Sequence, residues 1–209
     1  MQYINELVER YPMLSICKAE IESATAQIIN AYQNNKKVLV CGNGGSSADA
    51  DHIVGELMKG FCKQRPLSSD IQNLIKKTEP EKGEEIARKL QTPLRAINLS
   101  GHNALSTAFS NDVDPELIYA QLTLGYADKG DVFIGLSTSG NSKNVINASI
   151  VAKALGTITI GFTGKNKCEM DNLFDIIIHA PETETYKIQE LHLPIYHAIC
   201  LEFEEHFFC

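Results

Sequence analysis

The 209-residue sequence has no apolar run long enough to span a bilayer and no block of lysine and arginine residues. Residues 1–7 lack the basic segment and the continuous apolar stretch of a secretory signal peptide. The six cysteines show no C-x-x-C spacing, so they fit neither a zinc ribbon nor a disulfide framework. The net charge of -7 gives no general attraction to nucleic acid or to an anionic membrane. We therefore expect a cytoplasmic protein that binds neither nucleic acid nor membrane.

The composition and the hydrophobic pattern predict a single α/β domain over residues 1–209. Apolar residues make up 44% of the chain and charged residues 22%, which is ordinary for a globular protein. Short apolar, β-branched runs alternate with segments of helical spacing, a pattern that predicts a mainly parallel sheet covered by helices. The five predicted strands cover residues 37–41, 95–99, 131–136, 157–162 and 175–179.

Two regions lie outside this alternation. Apolar residues at helical spacing predict N-terminal helices over 3–33, with a break near Pro12. Residues 68–92 predict two short, highly charged helices separated by Pro80, which we interpret as a surface insertion or lid.

Two polar loops follow predicted strands. The loop 42–47 has three glycines and two serines, and it fits either a phosphate cradle or a tight strand-to-helix turn. The loop 137–142 has four hydroxyl residues, more than a helix cap requires. No basic side chain lies in it, so hydroxyls, backbone N–H groups and the helix dipole are expected to hold an anion there. Both loops fall at the carboxyl ends of strands, where open parallel sheets bind ligands.

A group of possible acid, base or metal-binding residues is divided between two predicted helices. His52 and Glu56 are four residues apart and share one helix face. Gln189, His192 and His197 lie on the last helix, and Gln189 and His197 can face the same cavity. These residues either form a tetrahedral site for a divalent metal or act separately as satisfied polar residues, and spacing alone leaves both interpretations open.

Together these segments resemble the SIS (sugar isomerase) domain family, and most closely the phosphoheptose isomerases. The segments that carry the resemblance are CGNGGSSADADH at 41–52 with Glu56, Asn111-Asp112, STSGNS at 137–142, FTG at 162–164 and KIQELHLPIYH at 187–197. The resemblance implies a flavodoxin-like three-layer α/β/α sandwich and a homotetramer with active sites between subunits. It also implies conversion of sedoheptulose 7-phosphate to D-glycero-D-manno-heptose 7-phosphate through an enediol.

The resemblance also implies roles for individual residues. Phosphate binding would fall to Ser137, Thr138, Ser139 and Ser142. Contacts to the sugar would fall to Asn43, Gly44, Gly45, Ser46, Asn111, Asp112 and Gln189. One Zn²⁺ per subunit would be held by His52, Glu56, Gln189 and His197, and His192 would be structural.

Catalysis by resemblance would use Glu56 as the base and His197 as the acid. A zinc-bound carboxylate is a weaker base, and a ligated imidazole nitrogen cannot shuttle a proton. Either a ligand therefore detaches during turnover, or the metal polarises the substrate oxygens while another group moves the proton. Relatives of the same fold are sugar-phosphate sensors or tetrameric scaffolds that bind a replication initiator protein. A non-catalytic module is therefore the alternative function.

Overall fold

A computed structural model gives the structure of the protein and describes residues 1–208; Cys209 lies outside the described residues. The strands are β1 (Val38–Gly42), β2 (Ala96–Asn98), β3 (Val132–Leu136), β4 (Ile158–Thr163) and β5 (Ile176–His179). These strands form one parallel sheet in the order β2-β1-β3-β4-β5. Every residue of β1 and β3 is buried, as expected for central strands covered on both faces.

The helices cover both faces of this sheet. They are α1 (Gln2–Arg10), α2 (Lys18–Gln33), α3 (Gly45–Met58), α4 (Ser69–Thr78), α5 (Pro80–Lys89), α6 (Asn103–Asp112), α7 (Ile118–Tyr126), α8 (Lys143–Ala154) and α9 (Thr185–Phe207). One apolar core joins the sheet to α1, α2, α3 and α9, and a second joins its other face to α7 and α8. The predicted three-layer, flavodoxin-like α/β/α fold is confirmed.

Proline shapes the first and the last helical regions differently. The N-terminal break falls where predicted: α1 ends at Arg10, and a 3₁₀ segment begins at Pro12 and runs to Cys17. In α9 the helix continues through Pro194 from Thr185 to Phe207. Because α9 is unbroken, residues near both of its ends are carried on one rigid element.

Residues 68–92 contain two short helices that differ from the rest of the chain. Helix α4 has no buried residue, and its first turn is capped by the Ser68 hydroxyl, which accepts from the Ile71 N–H. Leu74 and Leu90 are exposed apolar residues of this region. No helix within residues 1–208 is long and apolar enough to cross a membrane.

Asn111 and Asp112 lie in the last turn of α6, whereas the sequence predicts a loop over 111–115. The helix extends to this point because the Phe109 carbonyl accepts hydrogen bonds from the N–H groups of Val113 and Asp114. The loop therefore begins at Val113. The side chains of Asn111 and Asp112 are exposed and bond to each other, with Asn111 Nδ2 donating to Asp112 Oδ1 at 2.9 Å.

Candidate active site

The first polar loop joins β1 to α3 in a very tight turn. A Cβ atom at Gly42 would lie 2.6 Å from the Ser46 carbonyl oxygen, so the backbone approaches itself too closely for any other residue. The Ser46 N–H donates to the Asn43 carbonyl at 3.0 Å. The residues predicted to meet the sugar thus form the turn before α3 and the start of that helix: Asn43, Gly44, Gly45 and Ser46.

The two polar loops are physically connected. Strands β1 and β3 are neighbours, with Gly42 paired to Leu136, so both loops leave the same edge of the sheet. The side-chain amides of Asn43 and Asn144 exchange two hydrogen bonds of 2.9 Å each. Tyr119 donates its hydroxyl hydrogen to the Gly42 carbonyl at 2.7 Å. These contacts fix the first loop against the N-terminus of α8.

The second polar loop borders a cavity of about 330 Å³. Thr138 and Ser139 of the loop line this cavity. In the same loop the hydroxyls of Ser137 and Ser142 lie 2.9 Å apart. Lys165 and Lys167, which are both exposed, also line the cavity, as does Glu182. Within residues 1–208 neither lysine forms an ion pair.

Two basic side chains therefore line the cavity beside a loop that itself contains none, and the binding of an anion there stays a prediction. Strand β4 is the neighbour of β3, and this order brings the turn after β4 to the loop after β3. The Gly164 N–H donates to the Thr138 carbonyl at 3.1 Å and closes the two turns together. In the sequence Lys165 follows the fourth predicted strand. Its closeness to the loop 137–142 could not be predicted, because the order of the strands in the sheet was not known.

Helices α3 and α9 bring three of the four predicted metal ligands together. His52 Nε2 lies 3.3 Å from Glu56 Oε1 and 3.4 Å from His197 Nε2. The other carboxylate oxygen of Glu56 pairs with Lys59 Nζ at 3.1 Å. Burial lowers the pKa of His197 and the nearby His52 lowers it further, against a smaller opposing effect of Glu56, so its imidazole is neutral at physiological pH.

A hydrogen-bonded chain behind His52 orients its imidazole ring. Tyr196, which is buried, donates its hydroxyl hydrogen to Asp49 Oδ1 at 3.1 Å. Its oxygen also lies 3.0 Å from His52 Nδ1. Because a hydroxyl has only one hydrogen, this contact assigns a hydrogen to Nδ1 and leaves the Nε2 lone pair facing Glu56 and His197. Neither Tyr196 nor Asp49 stands out in the sequence, since a tyrosine beside Ile195 resembles a core residue.

Gln189, on α9, contacts a part of α3 other than the part that faces His197. A Cβ atom at Gly45 would lie 2.6 Å from Gln189 Nε2, so the amide packs directly on the first turn of α3. His197 faces His52 further along the same two helices, and thus α3 and α9 run side by side in the same direction. In the described part of the chain, no hydrogen bond links Gln189, Asn111 or Asp112 to the group formed by His52, Glu56 and His197.

The donor chemistry of this group fits a divalent cation. A neutral imidazole nitrogen and a carboxylate oxygen converge on the His52 Nε2 lone pair, and a hydrogen-bonded second partner holds His52, as is common for metal-binding histidines. These residues do not form a complete ligand set, because among residues 1–208 no group of three or more His, Cys, Asp or Glu side chains is arranged to hold a metal ion. His192 is separate and fully buried, with Nε2 3.2 Å from the Thr163 carbonyl.

The fold and this site define an open parallel α/β protein with its polar site at the carboxyl ends of the strands. The chain belongs to the SIS domain family, whose model matches residues 2–164. The resemblance inferred from the sequence motifs is thereby confirmed.

Similar proteins include phosphoheptose isomerases of several bacteria. The chain is 39% identical over 187 residues to the phosphoheptose isomerase of a Nitratiruptor species, covering 90% of this chain and 86% of the relative. It is 37% identical to phosphoheptose isomerase 2 of Campylobacter jejuni, covering 90% and 81% of the two chains. The solved phosphoheptose isomerase of Francisella tularensis matches with a TM-score of 0.77 at 25% identity, over 98% of this chain and 95% of that one.

A more distant solved structure shares only the fold with this chain. The Vibrio vulnificus NanR protein, solved in complex with ManNAc-6P, matches with a TM-score of 0.57 at 13% identity. The match covers 99% of this chain and 61% of that protein.

Proposed function

We propose that the protein is a sugar-phosphate isomerase that converts sedoheptulose 7-phosphate to D-glycero-D-manno-heptose 7-phosphate. The observation that carries the proposal is the meeting of His52, Glu56 and His197 from α3 and α9, close to the glycine loop that opens α3. Two relatives named phosphoheptose isomerase, each at least 37% identical over 90% of this chain, support the same substrate.

In this proposal the substrate lies along the carboxyl edge of the sheet with its phosphate at the loop 137–142. Ser137, Thr138, Ser139 and Ser142 donate to the phosphate through hydroxyl and backbone groups, and the cavity wall adds the positive charge of Lys165 and Lys167. The sugar meets the second group of residues, which comprises Asn43, Gly44, Gly45, Ser46, Asn111, Asp112 and Gln189. The packing of the Gln189 amide against Gly45 supports this role.

The isomerisation moves a proton between two adjacent carbons, so it needs a base at carbon and an acid at oxygen. We assign the base to Glu56, whose Oε1 faces His52 while Lys59 holds Oε2. We assign the acid to His197, since a lowered pKa makes its protonated form a stronger donor, although a scarcer one at neutral pH. The ring of Phe61 packs against this imidazole, with the two ring centroids 5.4 Å apart.

The same residues, His52, Glu56 and His197, with Gln189 as the fourth, are proposed to hold Zn²⁺, and Glu56 or His197 would have to leave the metal in order to transfer a proton. When bound, zinc would polarise neighbouring substrate oxygens as a Lewis acid. Tyr196 and Asp49 keep His52 in the tautomer that a metal ligand requires.

Three further features are part of the proposal. The protein is expected to be cytoplasmic and to assemble as a homotetramer with its sites between subunits, and it is expected to bind neither nucleic acid nor membrane. Residues 1–209 are taken as a single SIS domain with N-terminal helices over 3–33. Residues 68–92 are taken as an insertion beside the site.

The test is direct conversion. The zinc-loaded protein is incubated with sedoheptulose 7-phosphate and the aldose product is followed by NMR, with and without a chelator. Conversion that stops on chelation and returns with zinc supports the proposal. Conversion of a different ketose phosphate but not of this one would keep the reaction and change the substrate. Binding of the sugar phosphate without any conversion would favour the alternative, a non-catalytic sensor.

A further inference from the structure

Arg65 and Glu204 form a buried ion pair next to the candidate site. Arg65 Nε donates to Glu204 Oε1 at 2.8 Å, and the side chains are 0% and 1% exposed. A buried pair of this kind carries a desolvation cost that its mutual attraction offsets only when further hydrogen bonds satisfy both groups. The remaining donors and acceptors of this pair are therefore informative.

The other donors of Arg65 bond to the end of the helix that carries Glu56. Arg65 Nη1 donates to the Leu57 carbonyl at 2.9 Å, and Nη2 donates to the Glu56 carbonyl at 3.1 Å. These carbonyls lie in the last turn of α3 and have no partner within the helix. Arg65 thus supplies a cationic cap that suits the negative end of the helix dipole. Its guanidinium holds the backbone of Glu56 itself.

The carboxylate of Glu204 also bonds to the loop that follows α3. It accepts from the N–H groups of Phe61 at 2.8 Å, Cys62 at 2.6 Å and Lys63 at 2.9 Å. Burial alone would raise the pKa of Glu204, but these N–H groups and Arg65 bring it below its ordinary value, so the carboxylate stays charged.

Glu204 lies on the same face of α9 as His197. The two residues are seven positions apart, or about two helical turns. A single rigid helix therefore carries both His197 and the carboxylate that captures the Arg65 cap. Phe61, which donates to Glu204, also contacts the His197 ring. The pair is a polar connection between the Glu56 end of α3 and the His197 face of α9.

We propose that Arg65 and Glu204 are positioning residues for the isomerase, which hold Glu56 at its working distance from His52 and His197. This inference rests on the proposed function. The guanidinium fork matters because one group bonds a carboxylate and two carbonyls at once, which the ammonium of lysine cannot do in the same plane.

The experiment compares Glu204→Gln with a matched control, Asp131→Asn. Asp131 is equally buried, pairs with Lys37 Nζ at 2.6 Å, and accepts from the N–H groups of Lys37 at 3.0 Å and Asp128 at 2.8 Å. It lies just before β3, at the sheet edge opposite to the site. Both variants remove one charge from a buried pair, and both are expected to lower the urea midpoint.

Only Glu204→Gln is expected to disturb the site. We expect its kcat for sedoheptulose 7-phosphate to fall roughly 10–100-fold with KM within about twofold, and its zinc affinity to fall by a similar factor, as for other groups that hold a ligand in place. Asp131→Asn is expected to keep wild-type values of kcat and zinc affinity. All measurements are made below the unfolding transition of each variant.

Arg65→Lys provides the second variant, and it is used in the same comparison if Glu204→Gln does not fold. Equal kcat and equal zinc affinity in the tested variant and Asp131→Asn would overturn the inference, as would a loss confined to KM. Zinc affinity is measured by competition with a chromophoric chelator and needs no substrate. A wild-type protein that fails to convert the sugar phosphate would therefore refute the proposed function, while the zinc measurement would still decide the positioning role.

Discussion

Removal of the Tyr196 hydroxyl tests how the site holds His52. The side chain is buried at 2% exposure, and its hydroxyl lies 3.0 Å from His52 Nδ1 and 3.1 Å from Asp49 Oδ1. Phenylalanine fills the same space without the oxygen, so the packing of the ring within the apolar core of α2, α3 and α9 is retained. The substitution Tyr196→Phe therefore changes hydrogen bonding alone.

The cost follows from the groups that lose their partner. Among the described residues Asp49 Oδ2 already has no hydrogen-bond partner, so the variant leaves the carboxylate without its bond to the tyrosine as well. A buried polar group stripped of its partner costs about 1–3 kcal/mol of unfolding free energy. Loss of the outer partner of a ligating histidine costs about 10–100-fold in metal affinity or activity.

The assay measures urea unfolding, kcat for sedoheptulose 7-phosphate, and zinc affinity for Tyr196→Phe and for Tyr32→Phe. The Tyr32 hydroxyl donates to the Arg95 carbonyl at 3.4 Å, away from the site, so this control is expected to keep wild-type kcat and zinc affinity. If Tyr196→Phe lost stability but kept both wild-type values, the chain from Asp49 to His52 would have no part in the site.

Three other substitutions test separate parts of the account. Gly45→Ala places a Cβ atom 2.6 Å from Gln189 Nε2, so we expect displacement of the amide and a fall in kcat of about tenfold with little change in urea midpoint. Ser142→Ala removes a hydroxyl 2.9 Å from that of Ser137, and KM for the sugar phosphate should rise about tenfold in steady-state kinetics. For His192→Leu the test is pH: burial lowers the pKa of His192 from 6.5 to about 4, so below pH 6.5 the unfolded chain takes up a proton that the folded chain refuses. The wild type therefore keeps its full unfolding free energy above pH 6.5 and loses about 3 kcal/mol of it as the pH falls to 4. The difference in unfolding free energy between the wild type and His192→Leu should shift against the wild type over that window, and a constant difference would contradict the argument.

The fold was predictable because its signals are local. The apolar runs that became β1 and β3 stand out in the sequence, and proline at position 12 marks the first break. The Asn111-Asp112 pair was misplaced because a polar stretch before Pro115 resembles a loop, while the hydrogen bonds that extend α6 come from Phe109. The limits of helices are decided by such individual bonds, which composition does not reveal.

The site was predictable only in part, because its supporting contacts join distant segments. Lys165 reaches the second polar loop through the order of the strands, which cannot be read from residue spacing. Arg65 lies in a polar stretch and Glu204 has Glu205 beside it, so both resemble exposed charges in the sequence. Their burial depends on α9 packing beside α3, a consequence of the whole fold.

The central claim is that Glu56, held beside His52 and His197, moves the proton in a sugar-phosphate isomerisation. The most direct measurement is the turnover of sedoheptulose 7-phosphate by the zinc-loaded wild type and by Glu56→Gln, each verified as folded. We predict conversion by the wild type and a loss of roughly 10²–10⁴-fold in the variant, the usual contribution of a general base. A Glu56→Gln variant that turns over within a few-fold of the wild type would contradict the account.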